Sequence, residues 1–406
     1  MPNTKPNIPE LRFPEFEGEW EEKKLGDISK EVMYGIGASA KEYDKKNVYV
    51  RITDIDEDNR KLLNTYTSPD FIDDKYLLEK NDILLARTGA STGKSYIHNT
   101  FDSSLKYYFA GFLIKFKIKS DFSAQFIYQY TLTSFYKYWV KIMSVRSGQP
   151  GINSNEYSKL SIFIPSYNEQ EKIGDFFSKL DRLIELEEQK LALLVQQKKG
   201  YMQKIFSQEL RFKDENGNEY PEWEERKFSY FMSKPKDLKT DENIKKSQLL
   251  TVKLNGKGVS KANTNRALKM GSTVYYKRFS GQFIYGKQNF FNGAFGIVPE
   301  YLDNFYSSGD VPALNLDDNK IINDYFINFI SREEYYRRKE AFSAGTGSKR
   351  IHEDTLLNFN IDLPVIEEQK QIAKFFNVLD KLIETQSSKV ELLKQHKQGL
   401  LQKMFV

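Results

Sequence analysis

Along this chain the longest regular pattern is an apolar stripe at three- and four-residue steps, and it occurs twice. Ile173, Phe176, Phe177, Leu180, Leu183, Ile184, Leu191 and Leu194 make the first. Ile372, Phe375, Phe376, Leu379, Leu382, Ile383, Leu392 and Leu393 make the second. This spacing predicts two long amphipathic helices. Pro165 and Pro364 stand just ahead of them, where proline is tolerated. At ~1.5 Å per residue, about 40 residues give a rod of roughly 60 Å. A small globule cannot cover so long a stripe, so the expected mate of each helix is the other, as a coiled-coil pair.

Elsewhere the pattern shortens. NVYVRITDI (Asn47 to Ile55), NDILLART (Asn81 to Thr88) and FAGFLIKFKIK (Phe109 to Lys119) read as strands, as do STVYYKRF and GQFIYGKQNFF later on. Residues 122–140 and 323–340 read as helical. Both halves thus carry mixed α and β globules.

The two stripes belong to a longer repeat. Residues 164–206 and 363–405 align without a gap at an offset of 199, with 20 of 43 positions identical. A fixed-offset self-match points to two related units in one chain. It extends outward: LRF at Leu11 to Phe13 with WEEKK from Trp20 returns as LRF at Leu210 to Phe212 with WEERK from Trp223. Glycine-rich runs from Ser147 and Ser343 precede the two proline-ended strands. Gly200 and Gly399 fall at matched helix positions, each costing about 1 kcal/mol relative to Ala. A shared kink or frayed end accounts for them, and so does a close contact with another helix or a partner.

At 406 residues either half can bury a core. The chain has 30 Phe and 25 Tyr and no Cys, which excludes a disulfide scaffold, a thiolate zinc site and a cysteine nucleophile. The polar, proline-bearing start lacks the apolar core of a signal peptide, and no run of about 18 apolar residues suggests a membrane span. A cytoplasmic location is the expectation. Net charge is +5, compatible with nucleic acid without demanding it. The first long helix segment, 166–208, balances seven acidic against seven basic residues, so it is not a basic DNA-gripping rod.

Candidate chemistry is sparse. RTGASTGKS, Arg87 to Ser95, has three residues between Gly89 and Gly93 where a phosphate loop needs four, and no helix pattern follows it. It could hold a nucleotide, touch a DNA phosphate or base edge, or be a tight turn. His98, His352 and His396 are scattered without metal-ligand spacing. No Gly-x-Ser-x-Gly elbow and no Asn/Asp-Pro-Pro-aromatic methyltransferase signature occur, so the chain reads as a recognition protein rather than an enzyme. Basic residues interleaved with aromatic and amide side chains recur in both globules, a composition suited to base edges. The candidate DNA-binding residues are Arg51, Arg87, Thr88, Gly89, Lys94, Ser95, Arg146 and Gln149 in the first globule. In the second they are Lys277, Lys287, Gln288, Asn289, Lys349 and Arg350.

The PxxxEQ…I..FF..LD.LIE core from Pro165 and again from Pro364, the LRFPEFEGEW opening with its echo, and NDILLARTG together resemble the specificity subunit of type I restriction-modification systems. The resemblance covers essentially the whole chain. Only the second globule departs, with no clear counterpart of the Arg87 to Ser95 loop. The resemblance implies an α+β fold of two target-recognition globules separated by two long antiparallel helices, a coiled-coil spacer with an internal pseudo-two-fold repeat. Its domains would be 1–164 and 209–363 for recognition, with spacer helices at 165–208 and 364–406. Each globule would read half of a split, asymmetric site on double-stranded DNA. Two modification subunits, carrying S-adenosylmethionine, and two restriction subunits, using ATP and Mg, would be partners; this chain would hold no cofactor or metal and catalyse nothing. Tyr201, Met202, Ile205, Phe206, Leu400, Leu401, Met404 and Phe405 could dock the modification subunits, or equally pack helix against globule. The competing readings are an NTP-binding enzyme built on Gly89 to Ser95 and a coiled-coil scaffold with no DNA role.

Overall fold

A computed structural model of the chain describes residues 7–99, 102, 104–240, 244–262, 273–343 and 349–406. The chain forms two compact units. One is Met1–Gln189 with Ser388–Val406, the other Lys190–Ser387. The two stripes form helices Tyr167–Phe206 and Ile366–Lys403, of 40 and 38 residues. The four-part division at 164, 208 and 363 cuts the chain differently, because each long helix contributes to both units. Among the described residues, no helix is long and apolar enough to cross a membrane.

Each unit is built on a four-stranded antiparallel sheet. In the first the order is Ser29–Tyr34, Leu113–Ile118, Ile83–Ala86, Ser95–Ile97. In the second it is Met232–Ser233, Ala313–Leu316, Phe283–Tyr285, Phe295–Ile297. Ile83 pairs with Ile97 and Phe116, and Phe283 with Ile297 and Leu314. The two globules therefore share topology and register although their sequences differ. A side strand closes each unit: Glu21–Lys24 pairs with Ser161–Ile164, and Glu224–Lys227 with Asn360–Leu363.

Several expected elements are shorter than the apolar runs suggest. Residues 109–119 do not form one strand; a turn at Ala110–Phe112 divides Lys106–Phe109 from Leu113–Ile118. The helical stretch 122–140 is two helices, Ala124–Tyr130 and Ser134–Met143, because Ser123 and Thr133 each cap a fresh N-terminus. Residues 323–340 likewise divide into Asn323–Ile330, Glu333–Arg338 and a short 3₁₀ turn.

The repeated motifs have one physical basis. Arg12 of the first LRF forks onto Glu169 with both nitrogen–oxygen distances 2.7 Å, and Arg211 of the second forks onto Glu368 at 3.2 and 2.7 Å. Both glutamates are buried, and the hydrogen-bonded carboxylates raise the pKa of both guanidiniums. The next residue pins the helix start. Gln170 donates to Pro165 O and accepts from Ser123 N; Gln369 donates to Pro364 O and accepts from Ile322 N. LRF and EQ are thus two halves of one buried, charge-assisted contact, made once per unit.

Within each unit the long helices run antiparallel. In the first, Lys397 meets Asp181 at 2.5 Å and Lys389 meets Glu187 at 2.6 Å. In the second, Lys198 meets Asp380 at 2.5 Å, and the rings of Tyr201 and Phe375 lie 5.1 Å apart. The stripe is only partly buried: Leu183 and Leu382, counted in it, are 42 % and 49 % exposed.

Each core also receives the C-terminal turn of a long helix. Phe405 lies 5.0 Å from Phe126 and 6.1 Å from Phe177, with Leu401 and Met404 buried beside it. In the other unit Phe206 stacks on Phe376 at 5.9 Å and meets Phe329 edge-on at 5.5 Å, with Ile205 buried. Of the two readings of these residues, docking a partner or packing helix against globule, the second holds for Ile205, Phe206, Leu401, Met404 and Phe405, which fill the cores of their own units and are corrected as docking residues. Met202 and Leu400 are half-buried against the same cores, and Tyr201 alone of the eight keeps an exposed side chain. Gly200 and Gly399 lie inside continuous helix, and an added Cβ would meet nothing within 4 Å. Neither breaks its helix, and neither faces a close contact among the described residues.

At one end of the first sheet Asp82 and His98 are buried together; burial pushes Asp82 up to about 6 and His98 down to about 4. Their register counterparts in the second sheet are Gln282 and Val298, with Gln282 making the same side-chain bond to the turn that Asp82 makes.

Three stability outcomes follow. Phe405→Ala and Phe206→Ala should each cost about 3–5 kcal/mol in chemical denaturation. Gly200→Ala and Gly399→Ala should each stabilise by roughly 1 kcal/mol. His98 contributes stability above its ordinary value of 6.5 that is lost as pH falls through about 4; Asp82 contributes stability below 3.8 that is lost as pH rises through about 6. His98→Val leaves only the second effect, so relative to wild type its denaturation midpoint should rise between pH 7.5 and pH 5.

Candidate nucleic-acid interface

Four of the eight candidate residues of the first globule gather where three strands of its sheet end together. Tyr34 closes one strand, Ala86 another, and Leu113 opens the third. Arg87 N donates to Phe112 O at 3.0 Å, and Ile152 N donates to Arg87 O at 2.9 Å. The loop after Arg87 is held against the 149–151 loop: Gly89 N donates to Pro150 O at 2.9 Å, and Thr88 bridges Gly151. Gln149 Nε2 comes within 3.2 Å of where a Gly89 Cβ would stand. Arg87, Thr88, Gly89 and Gln149, 62 residues apart at the extremes, therefore share one rim. The guanidinium of Arg87 lies over the Tyr34 ring at 4.9 Å, and no ion pair neutralises it among the described residues. Stacking leaves its in-plane N–H groups free for an acceptor.

Two loop residues are corrected. Lys94 is buried, with its ammonium bonded to Ile55 O and to Glu57 at 2.7 Å. Ser95 is buried and hydrogen-bonds Thr131. Neither is displayed to a DNA phosphate. The loop also runs into the strand Ser95–Ile97 rather than a helix, so its N–H groups and its lysine do not form a phosphate cradle. Gly93 is needed for another reason: its φ is +88°, and a Cβ there would meet Val140 Cγ1 at 2.5 Å.

The remaining two candidates are tethered. Arg51 forks onto buried Asp54 at 2.8 and 2.7 Å, which raises its pKa. Arg146 bonds both oxygens of Glu156 at 2.6 Å while its side chain stays more than a third exposed. Such pairs orient a guanidinium without cancelling its remaining donors.

The second globule does have a counterpart of the Arg87 loop, contrary to expectation. Lys287 N donates to Asp310 O at 2.9 Å, and Ile351 N donates to Lys287 O at 2.9 Å, reproducing both backbone bonds of Arg87. Gly293, with φ +74°, occupies the place of Gly93. The motif is invisible in sequence because only its backbone is shared. Lys287 pairs with Glu353 at 3.1 Å, Arg350 with Asp310 at 3.0 Å, and Lys349 with Glu340 at 2.7 Å. Gln288 and Asn289 are exposed on the loop. Lys277 stands apart on the two-stranded sheet Tyr275–Lys277/Tyr306–Ser308, over the Tyr306 ring. Most of the glycine-rich run from Ser343, residues 344–348, lies outside the described residues.

Residue patterns alone missed Tyr34, Phe112 and Asp310. Phe112 was hidden inside an apolar run read as one strand; the Gly111 in that run was the available signal for a turn.

One close approach positions the rim. A Cβ on Gly35 would lie 2.3 Å from the carbonyl oxygens of Phe109 and Ala110. Gly35→Ala should therefore displace the 110–112 turn and lower the midpoint of chemical denaturation.

Comparison with known proteins agrees with this architecture. The sequence model of the type I restriction modification DNA specificity domain matches residues 17–196 and 272–395. The type I restriction enzyme MjaVIII specificity subunit of Methanocaldococcus jannaschii is 22 % identical over 435 positions, covering 96 % of this chain and 92 % of that protein. The crystal structure of the type I restriction-modification S subunit from M. genitalium superposes with a TM-score of 0.61 at 14 % identity, over 98 % of this chain and 99 % of that one. The HsdS subunit of Thermoanaerobacter tengcongensis gives a TM-score of 0.44 at 15 % identity, over 95 % and 96 %. With three quarters of its length matched in two segments, this chain belongs to the family of type I restriction-modification specificity subunits.

Proposed function

We propose that each unit reads one half of a split DNA site through the rim at the end of its four-stranded sheet. The observation that carries this is the same loop register in both units bearing different side chains: Arg87 opposite Phe112 in one, Lys287 opposite Asp310 in the other. A shared scaffold with unlike readers makes the site asymmetric. Arg87, Gln149, Gln288 and Asn289 offer donors for guanine or adenine edges, while Arg51, Arg146, Lys287, Lys349 and Arg350 serve phosphates or orient neighbours.

The long helices set the spacing of the half-sites and dock the methyltransferase subunits. Their matched exposed leucines support the second role: Leu183 with Leu382, and Leu193 with Leu392, each pair related by the 199-residue offset. One patch per repeat suits two copies of one partner. In this reading the chain itself catalyses nothing, and the partners supply S-adenosylmethionine, ATP and Mg.

The test is competition binding by the chain assembled with its modification subunit, on the sequence found methylated in host DNA. Arg87→Ala should relax one half-site only, by about 1–3 kcal/mol, and Lys287→Ala should weaken binding with a shallower salt slope. Equal loss on specific and random DNA from Arg87→Ala would contradict the assignment.

A further inference from the structure

Phe112 is a large apolar side chain in the open, carried on a tightly bonded turn. It is 63 % exposed. Yet its turn is tied on every side: Ala110 N donates to Val50 O, Gly111 N to Ile36 O, Leu113 N to Ala110 O, and Gly35 N to Leu113 O. The ring lies past the last buried residue of its strand face, where Ile114 and Phe116 belong to the core and Phe112 is open. An exposed aromatic on a held backbone is a contact surface whose loop has little ordering entropy left to lose.

Its neighbours say what it faces. The strand register that pairs Ala86 with Leu113 continues one step to place Arg87 opposite Phe112. Directly opposed residues of an antiparallel pair project from the same face. Tyr34, opposite Ile114, projects from that face too, two positions along from Phe112. The face thus presents a stacked arginine with free N–H groups next to a bare phenyl ring. An arginine so presented suits the O6 and N7 acceptors of guanine in the major groove. The one apolar group on any base edge in that groove is the 5-methyl of thymine. In the second unit the position of Phe112 holds Asp310, paired with Arg350, and offers no apolar surface.

We infer that Phe112 is a specificity-determining residue of the first unit, recognising a thymine through its 5-methyl group beside the base read by Arg87. The inference rests on the proposed DNA reading and adds the chemical group that is read. Phe112 is mostly exposed and its turn is held by backbone bonds, so a denaturation midpoint for Phe112→Ala close to that of wild type would separate recognition from folding.

The experiment uses the chain assembled with its modification subunit and duplexes of the methylated sequence in which single thymines are replaced by uracil, removing only the methyl group. One substitution in the half-site of the first unit should weaken wild-type binding roughly three- to fivefold, the worth of one buried methyl. Phe112→Ala should weaken binding to the thymine duplex by a similar factor and bind thymine and uracil duplexes alike. Its response to uracil in the other half-site should match that of wild type. The inference is overturned if that half-site holds no thymine, if wild type ignores every uracil there, or if Phe112→Ala still distinguishes the two. A ring wedged between base pairs would give the second outcome, with thymine and uracil losing equally on Phe112→Ala. If wild type shows no preference for the methylated sequence over a scrambled duplex, DNA reading itself fails, which is a separate result.

Discussion

Everything in this structure depends on where the long helices end. The last turn of the first, with Ile205 and Phe206, is built into the core of the second unit; the last turn of the second, with Leu401, Met404 and Phe405, is built into the core of the first. Neither repeat is therefore a self-sufficient folding unit, since each core lacks its central aromatic until the other repeat's helix arrives. The helices must run antiparallel inside each unit for this to close, and Asp181–Lys397 with Glu187–Lys389 in one unit, and Lys198–Asp380 with Tyr201–Phe375 in the other, show that they do. At the other end of each helix the buried pairs Arg12–Glu169 and Arg211–Glu368 fix the start. Removing one partner of such a pair leaves a buried charge, which is costly enough to hold the helix angle against the globule.

That frame frees the loops. The two sheets keep one register from Ile83 and Phe283 outward, down to the backbone bonds around Arg87 and Lys287. Side chains at the rim then vary without disturbing the scaffold, because the backbone bonds that shape the loop do not depend on them. The first rim combines a cation stacked on an aromatic ring with an exposed phenyl group. The second is ion-paired, through Glu353, Asp310 and Glu340. The two rims thus differ in chemistry while sharing one backbone, which is the basis of the proposed asymmetric reading.

The helices, their pairing and the repeat were legible because periodicity and identity are both linear in sequence. The rim was legible only in pieces: Arg87 and Gln149 stood out as polar residues in glycine-rich runs, but their meeting needed the bonds from Gly89 to Pro150 and from Ile152 to Arg87. For Phe405 and Phe206 the sequence left partner docking and globule packing open, because they fall at helix ends, where sequence cannot show which globule receives them. Lys94 looked displayed because a Gly-Lys pair invites that reading, whereas its ammonium turns inward to Glu57. Leu183 and Leu382 looked buried because they continue the stripe, whereas in the structure Ile184 is the buried residue and both leucines stay open. The Lys287 loop escaped notice because its likeness to the Arg87 loop is one of backbone hydrogen bonds alone.

The most direct measurement of the central claim, two independent readers on one exchanged-helix frame, is an exchange of residues 25–160 for those of a relative with a different target, leaving both long helices and residues 388–406 in place. Sequencing of methylated DNA from cells carrying the hybrid complex should show one half-site replaced, with the other half and the spacing unchanged. A change in both halves, or in neither, would contradict it.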